Sequence, residues 1–251
     1  MRALVVSVEY GDLLAVTLNY NRAHFDEVWV VTSFADVETQ QAARAEGAKV
    51  VLTDSFYDDG AHFNKWKGLE YGLDVMGRWG WLCLLDGDVC WPKTAAVDER
   101  QLVIGKLYGC HRHMDERFAL PYKVPAEESW RLLAIHRNLN EFAGFTQIFH
   151  STDPVLGSPP WHEIRWKHAG SADSIFQNKW RLEDKIRLGW NCLHIGGAGA
   201  NWFGRASPRL DGVVPADKAE KEEKTRRLWE GRRRAGWNPL DPQPDEIIKK
   251  S

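Results

Sequence analysis

The chain has 251 residues, 43% hydrophobic and 27% charged, with a formal net charge of −2. That size and balance suit one large globular domain, exclude wholesale disorder, and provide no global field drawing the protein to nucleic acid or anionic membrane. The four cysteines, Cys83, Cys90, Cys110 and Cys192, show neither CxxC pairing nor zinc-ligand spacing. No apolar run reaches the ~18 residues of a membrane helix, and the one near the N-terminus is too short for a signal peptide. A soluble cytoplasmic protein is expected.

Residues 3–8 read as a first strand, ended by Glu9-Tyr10-Gly11-Asp12, with Asp12 placed to cap a helix over 13–22. A second strand follows at 28–32. The next helix begins at Asp36, runs through Ala45 and is closed by Gly47. A third strand spans 49–54. Short apolar strands alternating with helices predict a mostly parallel sheet wrapped by helices, which binds ligands beyond the carboxyl ends of its strands. Glu9, Thr32, Asp54 and Asp86 all fall at such ends. Trp66, Leu69 and Leu73 form one stripe of a further helix. Asn64 and Lys65 sit at its amino end, where backbone N–H groups and the helix dipole favour an anion, so Lys65 is either a phosphate contact or a solvated lysine.

The chain is organised around residues 79–92. An apolar strand at 81–85, bounded by glycine and proline, runs into Asp86-Gly87-Asp88. Gly87 permits a tight turn, so the two carboxylates can converge on a hard cation whose shell is completed by water and a substrate phosphate. The alternative is an ordinary polar turn.

Beyond this turn the rhythm changes. Strands are expected at 106–113, 140–150 and 186–195, an extended stretch at 118–124 and a helix at 127–139. A capped helix at 171–180 carries Asp173 in its first turn. Gly196 to Asn201 is glycine-rich, but it comes late and lacks the βαβ context of a dinucleotide fingerprint. Residues 217–234 are highly charged and end in Arg232-Arg233-Arg234, which suits a solvated helix or contact with a phosphate-bearing acceptor. The expected organisation is one domain over 1–210, divided into a parallel-sheet half at 1–92 and a second half of different architecture at 93–210. A charged helix and tail complete it at 211–251.

The ordered pieces resemble GT-A fold nucleotide-diphosphosugar glycosyltransferases of the family-2-like group, which includes small bacterial and phage members. They are Glu9-Tyr10-Gly11-Asp12, Val30-Val31-Thr32, Val51-Leu52-Thr53-Asp54, Phe63-Asn64-Lys65, Asp86-Gly87-Asp88, Gly144-Phe145-Thr146-Gln147, Ser171-Ala172-Asp173 and Leu193-His194-Ile195-Gly196. The resemblance implies an α/β GT-A fold and a metal-dependent enzyme using a UDP-sugar such as UDP-glucose. Asp86, Asp88 and His194 would be the metal ligands, with Mn2+ favoured over Mg2+ because imidazole suits it better. Glu9, Thr32 and Asp54 would hold base and ribose, Asn64 and Lys65 base or phosphate, and Gly144 and Gln147 the sugar and acceptor. Arg205 would reach the diphosphate.

Asp173 resembles the general base of inverting members, although Ala172 precedes it where many relatives carry a second acid; Glu183 and Asp184 are the fallback candidates. The acceptor is open between a glycan and a hydroxymethylated DNA base, the latter suggested by 13 tryptophans and the arginine-rich end. Two other readings are a sugar nucleotidyltransferase, which ordinarily shows a glycine-rich loop after the first strand, and a binding module with an inactive site.

Overall fold

The computed structural model describes residues 1–136, 142, 145–170, 172–196 and 201–234. In chain order, the first half contains β1 (Arg2–Val6), α1 (Gly11–Asn21), β2 (Glu27–Thr32), α2 (Val37–Ala45), β3 (Lys49–Leu52), α3 (Lys65–Met76), β4 (Trp81–Asp86) and β5 (Val89–Cys90). The second half contains β6 (Leu107–Gly109), β7 (Arg112–Asp115), α4 (Glu127–Trp130), β8 (Ala134–His136), β9 (Thr146–His150), α5 (Ala172–Gln177), β10 (Lys185–Arg187), β11 (Cys192–Ile195) and α6 (Lys218–Arg234).

The main sheet has seven strands in the order β10-β6-β9-β4-β1-β2-β3. β1, β2, β3 and β4 are mutually parallel, and only β9 runs against its neighbours. This is the mostly parallel α/β sheet expected from the sequence. Alternate residues of one strand enter two different cores, which explains the unbroken apolar runs. Leu4, Val6, Leu82 and Leu84 pack with Trp66, Leu69 and Leu73 of α3, while Ala3, Val5, Cys83 and Leu85 pack with Leu14 and Leu18 of α1. Each of the buried leucines and valines contributes about 1.5–3 kcal/mol.

From β1 the chain moves outward to β2 and β3, then crosses back so that β4 pairs on the other side of β1. The crevice between β1 and β4 is therefore the switch point of the sheet, where such folds bind ligands. Val6 and Asp86 lie level across it.

A second sheet, β5-β11-β7-β8, accounts for three departures from expectation. The single strand expected at 106–113 is two, because the chain leaves β6 of the main sheet at Cys110 and enters β7 of the second. Likewise 186–195 divides into β10 at the edge of the main sheet and β11 within the second. The helix expected at 127–139 stops after one turn, since residues 134–136 pair with β7 instead. Residues 137–139 lie outside the described residues, as do 140, 141, 143 and 144 of the segment that leads into β9. Asp12 is not the cap of α1. It lies within the first turn, where its carboxylate binds Arg205. No helix among the described residues is long and apolar enough to cross a membrane.

Candidate active site

Asp86 ends β4 and Asp88 follows through Gly87. A Cβ on Gly87 would lie 3.0 Å from Ser7 Oγ, so a side chain there would crowd the turn's close approach to the end of β1. From the other side, α1 holds the turn. Thr17 Oγ1 donates to the Gly87 carbonyl at 2.8 Å, and Asn21 Nδ2 donates to the Val89 carbonyl at 2.6 Å. Asn21 Oδ1 also accepts the Trp91 amide at 2.8 Å. Thr17 and Asn21 are buried and were not singled out from sequence. The signal was present: they are polar positions four apart on the stripe that also carries Leu14 and Leu18.

His194 reaches the turn through pairing. β11 runs antiparallel to β5, placing His194 opposite Val89, and the Ile195 amide donates to the Asp88 carbonyl at 2.9 Å. His194 Nε2 then lies 3.2 Å from Asp88 Oδ2. Burial opposes ionisation of Asp88, but His194, with Arg112 and Lys65 beyond it, outweighs burial and holds the carboxyl below its usual range.

Asp86 has a different partner. Its Oδ1 accepts from Lys65 Nζ at 2.6 Å, and the same ammonium lies 3.9 Å from Asp173 Oδ1. Burial works to lower the Lys65 pKa, but the carboxylates of Asp86 and Asp173 more than reverse this, so it is raised above the ordinary value and the ammonium is secured. Thus α3 and α5 bring Lys65 and Asp173 to the end of β4. Gln147, on the adjacent strand β9, is buried beside them. Its Nε2 donates to the Phe142 carbonyl at 2.6 Å, while its Oε1 is buried with no hydrogen-bond partner among the described residues.

Among the described residues no group of three or more His, Cys, Asp or Glu gathers as a metal cage. Of the expected triple Asp86, Asp88 and His194, Asp88 faces His194 while Asp86 turns to Lys65. The pair's chemistry still fits a divalent cation: a carboxylate oxygen and an imidazole nitrogen face each other, and a substrate diphosphate would supply further oxygen ligands.

Several other expected residues have structural duties. Asn64 is the N-cap of α3: its Oδ1 accepts the Trp66 and Lys67 amides at 3.2 and 3.1 Å, and its Nδ2 donates to the Ile164 carbonyl at 2.7 Å. Thr32 is fully buried and donates to Asp36 Oδ2 at 3.1 Å. Asp54 Oδ1 accepts the Phe34 amide at 3.2 Å.

Arg205 is not extended toward the switch point. All its N–H donors are engaged, on Asp12 and on the carbonyls of Glu9, Ser207 and Pro208, and its guanidinium lies over the Tyr10 ring at 4.8 Å. The expected diphosphate contact is thus replaced by a buried clamp on the end of β1. Asp184 pairs with Lys106 at 2.6 Å beside β10, the strand at the far edge of the sheet, away from the end of β4. Gly144 lies outside the described residues.

Beyond β1 a cavity of about 300 Å³ is lined by Glu9, Tyr57, His62, Phe63, Phe203 and Lys221, among others. Glu9 is exposed there, its backbone in the left-handed region at φ +64° and its amide bonded to Asp36 Oδ2 at 2.5 Å. Burial, with Glu9, Asp54 and Asp36 nearby, pushes the Tyr57 hydroxyl up to about 12, so it stays a donor. Lys221 and Lys224 close one side from α6. Other cations of α6 pair along the helix: Arg226 and Arg227 with Glu223 at 2.7 and 2.6 Å, and Lys218 with Glu222 at 3.6 Å. Such i, i+3 and i, i+4 pairs support the helix.

No protein-family model and no curated protein matches the chain. Solved structures similar to it include mannosyl-3-phosphoglycerate synthase from Rubrobacter xylanophilus, at 14% identity over 97% of this chain and 76% of that one, with a TM-score of 0.48. Glucosyl-3-phosphoglycerate synthase from Mycobacterium tuberculosis, in complex with Mn2+ and uridine-diphosphate-glucose, is 13% identical over 94% of this chain and 79% of that one, with a TM-score of 0.46. The same enzyme in complex with phosphoglyceric acid is 13% identical over 94% of this chain and 80% of that one, with a TM-score of 0.46.

Proposed function

We propose that the chain is a metal-assisted glycosyltransferase that moves a sugar from a nucleotide-diphosphosugar, foremost a UDP-sugar, to an acceptor hydroxyl with inversion. One observation carries the reading. At the switch point between β1 and β4, two separate pairs converge, Asp88 with His194 and Asp86 with the Lys65 that also faces Asp173. A structural turn needs none of these side chains.

In this reading Asp88 and His194 hold the cation, Mn2+ before Mg2+, which when bound neutralises charge on the departing diphosphate. Asp173 takes the proton of the acceptor hydroxyl as its oxygen attacks the anomeric carbon and the bond to the diphosphate oxygen breaks. Lys65 fixes Asp173 and Asp86 at the edge of the reaction. The Gln147 carboxamide oxygen, which has no hydrogen-bond partner among the described residues, would accept from a sugar hydroxyl. The aromatic cavity beside Glu9 suits the nucleoside, and its wall on α6 makes the C-terminal helix a working part of the domain. The acceptor hydroxyl belongs to a carbohydrate or to a hydroxymethylated DNA base.

Donor binding tests the reading. Thermal shifts with UDP-, GDP-, dTDP- and CDP-sugars, with and without MnCl2, should single out one base in a manganese-dependent way. Incubation with that donor and sugar acceptors should release the nucleoside diphosphate. Release of pyrophosphate from a nucleoside triphosphate and a sugar 1-phosphate would instead identify a nucleotidyltransferase. No shift with any donor would leave a binding module.

A further inference from the structure

Glu70, His162 and Phe176 lie outside the site, yet they join the two helices that carry Lys65 and Asp173. The His162 ring is fully buried between two aromatic rings. On one side it stacks on Trp66, with centroids 5.1 Å apart and planes at 18°, and on the other on Phe176, at 4.0 Å and 19°. Trp66 follows Lys65 on α3, and Phe176 lies three residues after Asp173 on α5. One imidazole thus sets the spacing between the helix of the ammonium and the helix of the carboxylate.

The ring is also oriented. Nδ1 donates to Glu70 Oε1 at 2.6 Å, and that oxygen further accepts the Trp161 and His162 amides at 3.1 and 2.9 Å. Arg78 holds the other carboxylate oxygen at 2.7 Å. Burial lowers the His162 pKa against the pull of Glu70, which favours the neutral ring with its proton on Nδ1. His162 Nε2 is buried with no hydrogen-bond partner among the described residues. A phenyl ring would fill the slot without that orphaned nitrogen. What the imidazole adds is the bond to Glu70, which fixes the plane of the stack.

We propose that Glu70 and His162 are positioning residues that hold Asp173 at its working distance from Lys65. The proposal rests on the reading of Asp173 as general base. The ring stack transmits the orientation: Glu70 fixes His162, His162 fixes Phe176, and Phe176 fixes the helix on which Asp173 sits. A displacement of about 1 Å at a reacting group is enough to lower a rate on the order of a hundredfold.

The test compares His162→Phe with wild type. The variant keeps a ring in the slot and removes the bond to Glu70. Its kcat should fall by about tenfold or more, while donor KM and the donor-induced thermal shift stay within about twofold. Phe176→Leu, which loosens the same stack, should show the same split and serves where His162→Phe fails to fold. Wild-type kcat in either folded variant would overturn the proposal, and so would a change confined to KM. Should the wild type transfer no sugar from any donor, the functional reading fails by itself. The proposal is then decided by crystal structures of wild type and variant: a widened Lys65–Asp173 distance supports it, and an unchanged distance overturns it.

Discussion

Lys65 Nζ lies 2.6 Å from Asp86 Oδ1, an ion pair between the first residue of α3 and the last residue of β4. Asp173 is the second carboxylate of the same ammonium. Lys65→Met would leave both acids without their cation and should lower the unfolding free energy by about 2–4 kcal/mol at neutral pH. The pH dependence follows from the raised Lys65 pKa. A raised value means that the contribution is fully present below the ordinary 10.5 and is lost as pH rises through the folded value. Urea melts of the two proteins should therefore show a constant gap at neutral pH that narrows above about 10.5. A gap that persisted in strong alkali would mean that the lysine charge is not its source.

Asp88 and His194 come from segments far apart in sequence and meet because β5 and β11 pair. In the proposed reading, UDP with Mn2+ at about 100 times its dissociation constant stabilises the wild type by about 2.7 kcal/mol. Asp88→Asn and His194→Ala should each lose most of that gain while keeping the fold. Thermal melts with and without MnCl2 measure it. An undiminished shift in Asp88→Asn would move the cation away from this turn.

The parallel half of the fold was legible because each strand is a short apolar run ended by a polar group. Asp86, Lys65 and Asp173, which the structure brings together, stand at a strand end and at helix starts, positions that a sequence marks. The second half was harder to read for physical reasons. Periodicity carries no sign of strand direction, so β9 did not announce itself as the one described strand of the main sheet that runs against the others. Nor does it record a change of sheet, such as the one the chain makes at Cys110 between β6 and β7. Arg205 was misread because its partner Asp12 is 193 residues away. Asn64 shows a different ambiguity: a helix N-cap and an anion contact occupy the same place in sequence, and only the bonds to Trp66 and Lys67 separate them.

Gly68 in α3 gives a prediction whose sign runs against helix propensity. An alanine in a helix interior ordinarily gains up to about 1 kcal/mol over glycine. Here the added Cβ would lie 1.9 Å from Phe56 Cε1, within a packed core. Gly68→Ala should therefore destabilise by about 1–3 kcal/mol, read as a lowered urea midpoint. A midpoint at or above wild type would show that Phe56 can move aside.

Asp173→Asn keeps the shape of the side chain and removes its capacity to accept a proton. As the proposed base, its loss should lower kcat by about 10²–10⁴ while leaving the donor-induced thermal shift in place. Steady-state kinetics beside a donor titration separate the two effects. A variant that transfers sugar at the wild-type rate would assign the proton to another group.

Arg205 and Asp12 form a buried ion pair, with side chains 2% and 9% exposed. The same guanidinium binds the Glu9 carbonyl at 2.7 Å and so ties the segment after residue 201 to the end of β1. Arg205→Leu should cost about 3–5 kcal/mol, because Asp12 is left buried without its cation. Arg205→Lys should recover only part of this, since an ammonium cannot make the two-pronged contact. Burial pushes the Asp12 carboxyl up, but Arg205 and the Leu210 amide outweigh it and hold the pKa below the ordinary 3.8. The contribution is therefore present above 3.8 and is lost as pH falls through the folded value. Acid titrations of stability should show the wild type and Arg205→Leu converging in that range. If they stayed apart in stronger acid, the stabilisation would come from the carbonyl contacts of Arg205 and not from its charge.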